Sequence, residues 1–210
     1  MAQSSGHDER AELADSFLAL GPRARTILPG WDAADLLDHL LVREGHPHLV
    51  VGSSLPGPIG RRAVRAREAL RDLPWGQQIE ALRAGPGRLS PAGAADRLSG
   101  QGELLIHHED LRRAQDGWEP RRLDPAASAD AWTSLGLMAP LVMRLRADVT
   151  LVSPLGGRRV RSRRAEGSLR VHGEPLELLL WASGRERVAR VRVHGDAGGM
   201  RALQEGRRGV

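Results

Sequence analysis

A chain of 210 residues can form one large domain, or a helical bundle of ~100–150 residues with a small second unit, and the texture of this one favours the second. Hydrophobic residues make up 40% and no apolar run approaches the ~20 residues of a membrane-spanning helix, so neither a transmembrane protein nor a membrane partner is expected. The pI of about 11.2 invites a nucleic-acid reading, but the formal charge is only +5, and all 31 basic residues are Arg, dispersed among 26 acidic ones. Lys, Asn, Tyr and Cys are absent, the pattern of a very GC-rich gene, so no nucleic-acid partner is expected.

The first stretch, MAQSSGHDERAELADSFL, mixes acidic and basic residues where a secretory signal needs a basic start and an apolar run, so a cytoplasmic location is expected. From about His7 to Leu20 the apolar residues Leu13, Phe17 and Leu20 recur at helical spacing, and Gly21 and Pro22 end the segment. Asp32 can cap a second helix carrying the stripe Leu36, Leu37, Leu40 and Leu41, which Gly45 and Pro47 stop. HPHLVVGSSLPGPIG reads as a long connection. RRAVRAREALRDL and PWGQQIEALRAG then read as helical, and SPAGAADRLSG as a loop and helix start. QGELLIHHEDLRRAQ is a strong helix, and SADAWTSLGLMAPLVMRLR is the last long one, with Pro140 inside it as a kink.

From about Ala147 the texture changes to short β-branched runs, DVTLVSP, GRRVRSR, GSLRVHG and RVARVRVHG, interrupted by one apolar helix, LELLLWASG. The expected organisation is therefore mainly α: a bundle over 1–146, a small α+β domain over 147–196 and a flexible tail over 197–210. The absence of cysteine leaves no disulfide, no thiolate metal ligand and no protein thiol nucleophile.

On an ideal helix at about 100° per residue, Glu103 and His107 share the apolar face with Leu111 and Ala114. Burying both there costs several kcal/mol unless something pairs with them, and two such groups on adjacent turns can close around a metal. His39 lies at the edge of the Leu36 and Leu40 stripe, placed to face another helix. Each can equally be a hydrogen-bonded core residue. Taken together, two His and one Glu form a zinc ligand set that leaves a position open for water or substrate.

The string PGWDAADLLDHLLVRE followed by GELLIHHEDLRRAQDGWEPR resembles the mycothiol-dependent maleylpyruvate isomerase family, a member of the DinB-like metal-binding four-helix-bundle superfamily, and most closely an actinobacterial branch of it. The resemblance takes in nearly the whole chain, including LELLLWASGR. It implies a DinB-like four-helix bundle and a divalent metal, zinc first with nickel or iron as alternatives, on His39, Glu103 and His107. It also implies mycothiol as thiol co-substrate, its sulfur entering the open metal position to attack a small-molecule electrophile as an isomerase or S-transferase. The alternative is a non-catalytic, metal-dependent binding or regulatory module.

Asp110, one turn after His107, can act as an acceptor behind a ligand imidazole or pair with a nearby arginine. His108 points towards the edge of the stripe and reads as structural. Arg185 matches a Gly-Arg of the family's C-terminal domain and is a candidate for holding an anionic cofactor group, against a purely structural role. His7, His46, His48, His172 and His194 read as solvent-facing. Gly100 and Gly102 predict a loose first turn ahead of Glu103.

Overall fold

The computed structural model describes residues 8–45, 57–85 and 101–209, which are mainly helical with two small sheets. None of the described helices is long and apolar enough to cross a membrane. The described residues divide into two compact units, the first made of 8–45, 57–85 and 107–119, the second of 101–106 and 120–209.

The first unit is helical. α1 (Glu9–Leu20) starts where the Asp8 carboxylate accepts the Ala11 N–H at 3.2 Å, and it ends at Gly21, whose φ of +81° suits glycine. α2 (Ala33–Gly45) opens on a reciprocal cap: Asp32 Oδ1 accepts the Asp35 N–H at 3.1 Å and Asp35 Oδ2 accepts the Asp32 N–H at 3.3 Å. α3 (Gly57–Arg71) and α4 (Trp75–Ala84) follow, and α5 (Gln101–Arg112) supplies its last six residues to this unit. Leu13, Phe17, Leu36, Leu37, Leu40, Ile79, Leu82 and Leu111 are buried at helical spacing, with α1 and α2 both packed on α4. Phe17 meets Trp75 edge to face at 5.9 Å. α3 begins at Gly57, four residues before the run RRAV, so GPIG is helix rather than connection. The rest of that expected connection, the expected loop over 90–100 and His7, His46 and His48 lie outside the described residues.

The second unit is built on α6 (Pro125–Val142), capped by Asp124 Oδ1 accepting the Ala127 N–H at 2.9 Å. Pro140 sits inside α6 without ending it. Four strands follow, β2 (Asp148–Ser153), β3 (Gly156–Val160), β4 (Ser168–His172) and β5 (Arg192–Gly195), in the order β3-β2-β4-β5. β2 and β4 are parallel and the outer pairings antiparallel. α7 (Pro175–Ala182) is the helix expected at LELLLWASG. It ends in a Schellman-type cap in which Arg185 N–H donates to Leu180 O at 2.9 Å and Gly184 N–H to Trp181 O at 3.2 Å.

Two expectations need correcting here. The long helix over 125–142 belongs with the strands and not with the bundle, because Ala131, Leu135 and Ala139 share one core with Val149, Leu151, Leu169, Val171 and α7. An apolar stripe shows that something covers a helix, not what. Nor is 197–210 a loose tail: α8 (Ala197–Glu205) is capped by Asp196 Oδ1 accepting the Gly199 N–H at 2.7 Å, and β6 (Arg207–Arg208) pairs antiparallel with β1 (Met143–Arg144). Its glycines serve close packing. A Cβ on Gly199 would lie 2.2 Å from Ser168 O and one on Gly198 2.0 Å from Glu166 O.

Candidate metal centre

In α2, Leu36, Leu37, Leu40 and Leu41 turn one face to the core, and His39 is left half-buried at its border. Its imidazole meets two rings, Trp31 with centroids 5.4 Å apart and His107 with centroids 5.2 Å apart. Burial pushes the His39 imidazole down to about 4, and the charges of His107, Arg43 and Arg67 push the same way against Asp38. His39 is therefore neutral at pH 7, the form that ligates a metal.

His107 is positioned from behind. Its Nδ1 lies 2.9 Å from Asp110 Oδ2, and the Asp110 carboxylate has no exposed surface. A buried carboxylate on Nδ1 fixes the tautomer and turns Nε2 into the available lone pair. Asp38, beside His39 in sequence, is buried and its Oδ2 receives Arg67 Nε at 3.1 Å and Nη2 at 2.6 Å. That pair holds α3 to α2 next to the histidines.

Glu103, half-buried, stands one turn before His107 on α5. The first turn of α5 is regular although Gly102 lies in it: a Cβ there would come within 2.4 Å of Ser134 Cβ, so the glycine permits the close approach of α5 and α6. His39 and His107 are thus brought together. Among the described residues, however, the one set of three carboxylate or imidazole ligands with all atoms within 4.8 Å of one another is not that of His39, Glu103 and His107; it is Glu9, Glu12 and His108.

Sequence reasoning set His108 aside and missed its partners. His108 is buried, with Nδ1 2.6 Å from Glu9 Oε1 and Nε2 2.8 Å from Ser16 Oγ. Glu9 is 1% exposed, which makes it the most buried carboxylate of α1. The available signal was the spacing of Glu9, Glu12 and Ser16, which lie on one strip of α1 beside Leu13. Further along α5, Glu109 is buried between Arg112 at 2.7 Å and Arg113, whose guanidinium stacks on Trp118 at 4.9 Å.

In the second unit, Arg185 donates through Nη1 to Ser183 O at 2.6 Å, across the end of α7. His172 is half-buried and His194 exposed, their rings 5.9 Å apart on neighbouring strands.

Compared with known proteins, the chain matches no family model, no curated protein and no solved structure.

Proposed function

We propose that the protein binds one divalent metal ion, zinc before nickel or iron, on His39 and His107, with Glu103 as third ligand from the turn preceding His107. The helices around it are read as a DinB-like bundle. The observation that carries the reading is the pair of adjacent imidazoles, 5.2 Å between centroids, of which His107 is braced through Nδ1 by buried Asp110. Two imidazoles and a carboxylate suit zinc and leave a fourth position for an exchangeable ligand. The resemblance of PGWDAADLLDHLLVRE and GELLIHHEDLRRAQDGWEPR to the mycothiol-dependent isomerases adds Glu103 to the set.

The activity is thiol-dependent isomerisation or S-transfer on a small electrophile, with mycothiol as the thiol. A zinc ion held by His39, His107 and Glu103 would lower the pKa of a coordinated thiol and so would supply a sulfur nucleophile at neutral pH. The chain has no cysteine of its own, and the sulfur comes from the co-substrate. His39 needs no deprotonation to act as a ligand at pH 7, and Asp110 holds the His107 ring in one orientation. Trp31, against His39, offers an apolar wall beside the pair. Titrating mycothiol into the cobalt-loaded protein tests this: a sulfur-to-cobalt absorption band that saturates is expected, and its absence across a millimolar titration overturns the thiol-dependent reading.

A further inference from the structure

We infer that α1 and α5 carry a second divalent-cation site, separate from the His39 and His107 pair and formed by Glu9, Glu12 and His108. Each of the three offers one ligand atom, and these atoms all lie within 4.8 Å of one another. The site stands on three features of one face of α1. Glu9, Glu12 and Ser16 follow each other at three and four residues, so they form a strip one turn apart, and His108 of α5 packs across it. The two inner ligands are shielded, with Glu9 1% and His108 3% exposed, while Glu12 is exposed and gives a route in from solvent.

The third feature is the way His108 is held. Metal-ligating histidines donate their other ring N–H to a fixed acceptor, and Ser16 Oγ sits 2.8 Å from Nε2 to take that proton. Nδ1 then faces Glu9 Oε1 at hydrogen-bond distance, 2.6 Å. A cation takes the place of that hydrogen bond. Nitrogen and oxygen ligands at about 2.0–2.1 Å from a tetrahedral zinc stand about 3.3 Å apart, so Glu9 Oε1 withdraws by somewhat under an ångström as the ion enters. Glu12 closes the third side. Two carboxylates and one imidazole form a hard, oxygen-rich set that takes zinc or manganese rather than a soft ion such as copper(I).

Zinc titration of the full-length, untagged protein, with a chromophoric chelator as competitor, tests the site. The probe is zinc alone. The His39→Ala/His107→Ala variant, which removes the first site, is expected to keep one equivalent, and adding Glu12→Gln to it is expected to abolish binding. Ser16→Ala in the same background is expected to weaken it ~10–100-fold. The circular dichroism spectrum and melting point of apo Glu12→Gln, compared with those of apo wild type, check its folding; in the wild-type background it is expected to remove one equivalent. If His39→Ala/His107→Ala binds no zinc while wild type binds one equivalent, the second site is overturned and the first stands. Unchanged stoichiometry and affinity in Glu12→Gln also overturns it. One equivalent in wild type, lost in Glu12→Gln and kept in His39→Ala/His107→Ala, supports this site and sinks the His39 and His107 centre.

Discussion

Asp110 Oδ2 lies 2.9 Å from His107 Nδ1, and the carboxylate that makes this contact is wholly buried. It acts on a metal only through the imidazole it orients. Asp110→Asn keeps the shape but loses the charge, and an amide can present N–H to Nδ1 and so invert the tautomer. Zinc affinity at the His39 and His107 pair should fall ~10–100-fold, measured by chelator competition. An unchanged affinity would show that Asp110 braces the helix and not the ligand.

The depressed proton affinity of His39 gives apo stability a pH dependence of fixed sign. The unfolded imidazole takes its proton near 6.5 and the folded one near 4, so between these values the unfolded state binds more protons. The His39 contribution is therefore fully present above 6.5 and is lost as pH falls towards 4. Urea unfolding with a chelator present should show stability declining over that interval, and His39→Gln should flatten the decline. An NMR titration with His39 midpoint at 6 or above would contradict the burial argument.

Gly102 fits a side chain only if two helices part. A Cβ would meet Ser134 Cβ at 2.4 Å, and overpacking of that kind costs ~1–3 kcal/mol, against ~1 kcal/mol gained in helix propensity. Gly102→Ala should lower the melting point, and Gly102→Ala/Ser134→Gly should restore it. A single variant as stable as wild type would remove the packing explanation for this glycine.

How far the sequence reveals the fold depends on the range of each interaction. Asp32 as a cap, the leucine stripe of α2 and the apolar run of α7 are local patterns, and each appears where its spacing predicts. The strands follow the β-branched runs. α8 was illegible because Gly198, Gly199 and Gly206 read as disorder, while their role is to let backbone touch Ser168, Glu166 and Leu145. The allegiance of α6 was equally hidden, since its stripe fits a bundle or a sheet.

The site divides the same way. The i, i+4 spacing of Glu103 and His107 and the edge position of His39 are visible on helical wheels. The Glu9 and His108 contact joins residues 99 apart in the chain, and the wheel of α5 alone assigns His108 only to the edge of its stripe.

Glu109 and Arg113 form an ion pair with neither side chain exposed, and Arg112 binds the same carboxylate. Removing Arg113 leaves the buried Glu109 carboxylate paired with Arg112 but short of its buried counter-ion. Arg113→Met should cost about 3 kcal/mol in chemical denaturation, whereas Glu109→Leu/Arg113→Met should recover most of that. Equal losses in the single and double variants would mean that the stacking of Arg113 on Trp118 carries the effect.

The central claim is that His39 and His107 hold a metal, and elemental analysis of untagged protein after zinc loading and gel filtration tests it most directly. Wild type should carry one equivalent of zinc more than His39→Ala, His107→Ala and Glu103→Ala. Folded wild type with no zinc, or variants that keep the full wild-type content, would contradict it and make these residues polar members of a helical core.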